Sequence, residues 1–363
     1  MLDEVYPQLS AVAIGRGVAT GELSAAEVIE AALRRIALVD DTVRAFREVW
    51  ADEARATARE IDRRRSSLPL AGVPVALKGT EGTTSEQAQR LVAAGCVPVG
   101  LTSTPGPGTD WQTWGWTDRG PTLNPWDHEL VPGGSSAGSA VAVATSMVPL
   151  ATGSDGAGSI RIPAAWCGVL GLKLGNGRVP ARDRAGLNAG GAFARHPEDL
   201  TAYFEAVVGP VPVVGKPLRV MWSEDLGFAT TSPEVAAAAR DELNRLVAKG
   251  VLEVVPGEVE LADPASVWTS LREGGGDSRS LNDERLRRIF ETVELIATPT
   301  TPNRAHGHDG PGETYSVALT WAFNLSGHPA ISMPAGLLDG VPTALQLVAA
   351  HENEAALLMV VRN

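Results

Sequence analysis

Two cysteines and three tyrosines are few for a chain of 363 residues that carries nine tryptophans. Cys96 in AAGCVPVG and Cys167 in AAWCGVLG both sit in apolar runs. There a thiol is a small buried hydrophobe rather than a reactive group, and a structural disulfide is not expected. Long apolar runs are missing too: none approaches the roughly 18 residues a membrane-spanning helix needs. The N-terminal MLDEVYPQLS carries acidic residues where a signal peptide has basic ones, so the expected location is the cytoplasm. Basic charge is also short, with 31 Lys and Arg against 43 Asp and Glu and a net charge of -12. That balance disfavours non-specific attraction to nucleic acid or to an anionic membrane.

What is present is ordinary for a soluble globular protein, 44% hydrophobic and 20% charged residues. Ser24 and Glu27 have capping-box spacing ahead of apolar positions at helical intervals, Val28, Leu33, Ile36 and Val39. Helices are further predicted over 52–65, 85–94, 137–147, 197–208, 315–325 and 353–361, and one begins at Pro233 behind Ser232 as N-cap. Short runs at LAGVPVALKG, 97–101, 148–152, 218–222, 251–255, 295–298, 330–333 and 344–348 read as strands. Between 102 and 132 lies a Pro/Gly/Trp-rich loop long enough to suggest function, and REGGGDSRS (272–280) reads as a flexible surface stretch. Alternating strands and helices imply an α/β fold around a parallel or mixed sheet. With no repeat and no convincing linker, one compact domain over 1–363 is the simplest organisation.

Two glycine-rich stretches concentrate the candidate chemistry, PGGSSAGSA from Pro132 and GSDGAGSIRIP from Gly153. Glycines let backbone N–H groups turn inward and cradle an anion. Neither stretch matches a phosphate-binding loop. Gly134 to Gly138 does fit the G-x-S-x-G elbow of α/β-hydrolases, with Ser136 as nucleophile and His328 as the placement for a triad histidine. That elbow needs a strand immediately before it, and NPWDHELVPGG is a poor one. Ordinary Gly/Ser turns are the remaining reading of each stretch taken singly.

Read together, LAGVPVALKG and NPWDHELVPGGSSAGSAVAVATSMVPLATGSDGAGSIRIPAAWCGVLGLK resemble the amidase signature family. Similarity extends to the N-terminal helix and to FNLSGHPAISMPAGLLDGVPTALQLVAAHENEAALL. The resemblance implies a central mixed, twisted sheet covered by helices on both faces. It also implies Ser159 as nucleophile, Ser135 as proton relay behind a cis peptide, and Lys78 as base. Backbone N–H groups of Gly156, Ala157, Gly158 and Ser159 would form the oxyanion hole, with Ser154, Asp155 and Arg161 supporting the turn. An acyl-enzyme then forms on Ser159 and water hydrolyses it; no cofactor is implied. The residue types make sense, since a serine hydroxyl needs a base and a lysine serves as one only where burial lowers its pKa.

This sequence departs from the family pattern in places. Ala157 replaces a common glycine, Gly79-Thr80-Glu81 replaces an Asp-containing continuation, and the segments from 78 to 135 and from 255 to 295 are short. These changes touch substrate-shaping loops, so a more open pocket is expected. The loop from Gly108 to Trp116, with Thr109, Asp110 and Trp111, is the candidate substrate contact. His306, His308 and Asp309 in AHGHDG lack further ligands, and no metal site is expected. The expected partner is a small-molecule amide, not nucleic acid or membrane, and a homodimer is among the assemblies allowed. The A subunit of a glutamine-dependent tRNA amidotransferase is the alternative within the family.

Overall fold

The computed structural model describes residues 2–64, 68–181, 183, 185–275 and 279–363; the side chain of Arg279 lies outside that description. Eleven strands form one sheet. In chain order they are β1 (Phe46–Val49), β2 (Pro74–Lys78), β3 (Val97–Thr102), β4 (Leu150–Asp155), β5 (Leu170–Lys173), β6 (Ala189–Ala194), β7 (Leu218–Trp222), β8 (Leu252–Val254), β9 (Leu295–Pro299), β10 (Ala330–Leu338) and β11 (Val341–Ala349). Across the sheet they run β1-β3-β2-β4-β6-β5-β10-β11-β9-β7-β8. Strands β3, β2 and β4 pair in parallel, as do β9, β7 and β8, and the pairs between those blocks are antiparallel. The sheet is therefore mixed, as expected.

Successive residues of one strand enter different apolar clusters. Val75 and Leu77 face one cluster and Ala76 another; Ala192 and Ala194 oppose Phe193, and Leu295 and Ala297 oppose Ile296. Side chains alternate across a strand, so a sheet buried on both faces is apolar throughout. One face carries Leu91, Leu200, Tyr203, Leu243 and Leu357, from the helices Glu86–Ala93, Pro197–Val207, Pro233–Ala248 and Glu354–Val361. The other is covered by Ile29 and Ile36 of the helix Ala25–Val43 and Val141 and Val143 of the helix Ala137–Ala144. Each such side chain contributes about 1.5–3 kcal/mol by leaving water. Both halves of the capping box at Ser24 are formed. The two cysteines are free and buried, and burial pushes both thiols upward in pKa.

Several expected elements change shape. No continuous helix spans 315–325: turns lead into a helix of only Ala322–Leu325. Its first part tightens through i to i+3 bonds from Ala318 to Tyr315 and from Thr320 to Val317. The expected helix over 137–147 ends at Ala144, just before Ser146 adopts a φ of 59°. Beyond Ile160 the chain forms a helix, Arg161–Cys167, a left-handed Gly168 and then β5. Strands β1 and β6 and the helices Ala11–Thr20, Ala265–Arg272 and Asp283–Thr292 were not expected. The stretch 272–280 lies partly outside the described residues.

Candidate active site

Parallel pairing of β2 with β4 brings Val75 opposite Leu150 and Ala76 opposite Ala151. Lys78 therefore ends one strand beside Ser154 and Asp155, which end the next. Ligands of α/β sheets bind beyond the carboxyl ends of such strands. Lys78 is 3% exposed. Its backbone N–H donates to Thr152 Oγ1 at 3.0 Å, and its Nζ lies 2.9 Å from Ser135 Oγ, 2.9 Å from Ser154 Oγ and 3.1 Å from the Ser154 carbonyl. Burial lowers its pKa from 10.5 to about 8, while Glu81 and Asp155 pull it back upward.

The peptide between Gly134 and Ser135 is cis. One residue on, the Ser136 N–H donates to the Ser159 carbonyl at 3.3 Å, which fastens the segment carrying Ser135 to the turn carrying Ser159. Ser135, Ser154, Ser159 and Lys78 all line a single cavity of about 1160 Å³. Ser136 faces elsewhere. It is fully buried as the residue preceding the helix Ala137–Ala144, and its hydroxyl reaches the Ser154 carbonyl at 3.4 Å. Coil rather than a strand precedes it, and His328 packs against Phe290 and His351 with Nδ1 2.9 Å from Ser326 Oγ. The elbow arrangement is thus not built.

Asp155 and Arg161 shape the turn between them. Both side chains are fully buried and pair at 2.8 Å, with a second contact at 3.0 Å. Asp155 also accepts the N–H groups of Gly158 (2.6 Å), Ile160 (3.1 Å) and Arg161 (3.3 Å). Arg161 donates onward to the Thr320 carbonyl, Gln346 and Asn324 at 2.9, 2.8 and 2.6 Å. Burial would raise the Asp155 pKa, but the charge and hydrogen bonds of Arg161, with help from Lys173 and Asn324, hold it below the usual carboxylate range. Removing one partner of such a buried pair costs about 3–5 kcal/mol, because the other charge is stranded.

The bond from Gly158 to Asp155 corrects one expectation. Its N–H is already committed, so among the expected oxyanion donors those of Gly156, Ala157 and Ser159 remain, and among the described residues no acceptor engages them. Gly158 has a φ of 120°, and a Cβ there would collide with Thr320 Oγ1. Only glycine fits that position.

Of the expected loop contacts, Asp110 and Trp111 line the cavity. Thr109 does not: its hydroxyl donates to the Trp111 carbonyl at 2.8 Å and accepts from Trp114 Nε1 at 2.9 Å, bracing the loop from inside. Sequence reasoning missed Trp268, Tyr315 and Trp321, which line the cavity with Arg272. It missed Asn324, Thr320 and Gln346 as braces of the turn, although buried polar residues within an otherwise apolar block such as FNLSGHP are a signal of that kind. His306 and His308 are held by protein partners, Thr113 Oγ1 at 2.7 Å and the His128 carbonyl at 3.1 Å.

The Amidase family model matches residues 27–84, 80–276 and 268–358. This chain belongs to that family. A Mycobacterium tuberculosis protein named as an amidase, AmiA2, is 31% identical over 434 positions, covering 94% of this chain and 89% of the relative. The A subunit of the glutamyl-tRNA(Gln) amidotransferase of Azotobacter vinelandii is 31% identical, covering 97% of this chain and 96% of that relative. The structure of a 6-aminohexanoate cyclic dimer hydrolase with its substrate superposes with a TM-score of 0.77 at 27% identity, covering 98% of this chain and 96% of that one. An amidase crystal structure gives 0.83 at 23% identity, with 98% of each chain covered, and shares the fold. As a member of the Amidase family this protein is a hydrolase of amide carbon–nitrogen bonds. The AmiA2 alignment is longer than this 363-residue chain, so the relative has insertions that this amidase lacks. Among the described residues no helix is long and apolar enough to cross a membrane.

Proposed function

We propose that Ser159 attacks the amide carbonyl of a small-molecule substrate, with Lys78 as the ultimate base and Ser135 as the relay between them. The supporting observation is the 2.9 Å contact between the buried Lys78 Nζ and Ser135 Oγ. Ser135 Oγ passes its proton to neutral Lys78 as it takes the proton of Ser159 Oγ, and the new C–O bond leaves negative charge on the former carbonyl oxygen. Backbone N–H groups of Ala157 and Ser159 receive that charge, the kind of preorganised stabilisation that dominates acyl transfer. Collapse breaks the C–N bond, and the proton returns through Ser135 to the departing amine or ammonia. Water then attacks the acyl-enzyme with the same proton relay and releases the carboxylic acid. No step in this sequence calls on a cofactor.

A fluorophosphonate probe followed by peptide mapping tests the assignment. The phosphonyl adduct is expected on Ser159; an adduct on Ser136 would sink this reading in favour of an esterase-type nucleophile.

The cavity favours substrates larger than a simple aliphatic amide. Trp111, Trp268, Tyr315 and Trp321 supply flat apolar wall, and Asp110, Glu81, Asp309 and Glu313 an acidic rim. Aromatic walls of this kind bury ligand surface. Along a series from acetamide to aryl-substituted amides, kcat/KM is expected to climb; a flat or declining series would show that the cavity does not select its substrate this way. The amidotransferase reading rests on the 31% identity to the Azotobacter protein. It requires glutaminase activity and copurifying partner proteins, both directly measurable.

A further inference from the structure

Each carbonyl of the nucleophile turn has its own donor. The Ala157 carbonyl accepts from Thr320 Oγ1 at 2.5 Å, and the Gly158 carbonyl from the Ile162 N–H at 2.8 Å. The Gly156 carbonyl accepts from the indole N–H of Trp268 at 2.9 Å. In a trans peptide the C=O and the following N–H point in opposite directions. Fixing a carbonyl therefore fixes the N–H on the far side of the same plane. The rule is visible one peptide along, where Thr320 holds the Ala157 carbonyl while Asp155 Oδ1 takes the Gly158 N–H at 2.6 Å.

For the Gly156 carbonyl the opposed N–H is that of Ala157, which no acceptor engages among the described residues. Glycine at 156 leaves this peptide the freedom to rotate, and the bond from Trp268 opposes that rotation. Trp268 is no part of the turn. It lies 112 residues away on the helix Ala265–Arg272, where it lines the cavity, packs 6.4 Å from Trp321 and carries the Arg272 guanidinium 5.4 Å above its ring.

We infer that Trp268 is a positioning residue for amide hydrolysis: its indole N–H holds the Gly156–Ala157 peptide so that the Ala157 N–H meets the developing oxyanion. The inference rests on the Ser159 mechanism above. Because the same ring is a wall of the cavity, a substrate seated against it presses on the element that orients this donor. Substrate fit and transition-state stabilisation thus share one side chain.

Trp268→Phe keeps an aromatic wall and deletes the N–H. Only Leu271 is buried on that helix, so the urea midpoint should stay close to wild type. Loss of an oxyanion donor costs about 10²–10³ in kcat. A donor left in place but unfixed should cost less, about tenfold to a hundredfold, with KM changed by no more than about twofold. Affinity for a trifluoromethyl ketone that forms a tetrahedral adduct should fall by the same factor as kcat/KM. Trp268→His, which returns a ring N–H, should recover part of the lost kcat. An unchanged kcat in Trp268→Phe, with KM raised or not, would reduce Trp268 to a wall and overturn the inference, as would equal losses in the Phe and His variants. Fluorophosphonate labelling of Ser159 in the Phe variant separates the two levels: loss of the Trp268 effect with labelling intact leaves the Ser159 mechanism standing, whereas labelling elsewhere removes its foundation.

Discussion

Replacing Ser159 by alanine is expected to lower kcat/KM for any amide substrate by about 10⁴-fold or more, while the urea midpoint stays near wild type. The side chain is half-buried at the cavity wall, and among the described residues no hydrogen bond of its hydroxyl braces the turn. The turn is held instead by Asp155 and Arg161 and by backbone carbonyls, all of which survive the change. Residual turnover would come from substrate binding and the oxyanion donors alone. Ser136→Ala is the matched control: its hydroxyl makes only a 3.4 Å contact with the Ser154 carbonyl, outside the cavity. Steady-state kinetics on both variants decide the matter, and a collapse in Ser136→Ala with activity preserved in Ser159→Ala would reverse the assignment.

Lys78→Ala should be nearly as damaging, by about 10³-fold or more at neutral pH, the scale of losing a general base from a nucleophilic triad. The wild-type pH profile carries the sharper information. Burial lowers the Lys78 pKa to about 8, and only the neutral amine accepts a proton. Activity should therefore rise with pH, by about tenfold per unit well below that pKa, and level off above it. Lys78→Ala should lose this inflection together with the rate. A variant that keeps wild-type kcat/KM and the same profile would show that the base lies elsewhere.

Much of the centre was legible because its chemistry is local in sequence. The strand ending at Lys78 and the two Gly/Ser stretches stand out, and the structure gathers Lys78, Ser135, Ser154 and Ser159 around one cavity. The surroundings were less legible for physical reasons. Strand β6 reads AGGAFA, with no β-branched residue, because backbone approaches it too closely for side chains: a Cβ on Gly191 would run into the Leu172 carbonyl. Glycine within a strand marks such a close approach rather than a strand former. The helix carrying Trp268 is short, with one buried residue, so its apolar periodicity is faint. Thr109 sits in the expected contact loop, but its hydroxyl turns inward to the Trp111 carbonyl and Trp114 Nε1, a direction that sequence does not encode locally.

The braces of Arg161 have a consequence in time. Lys78, Ser135 and Ser159 precede Arg161 in the chain, whereas Thr320, Asn324 and Gln346, which hold its guanidinium, follow it by 159 to 185 residues. The strand after the helix Arg161–Cys167 likewise waits for β10, whose Ile331 pairs with Leu172. A nascent chain therefore carries these side chains long before the braces exist, and the turn can set only once residues 320–346 have been made.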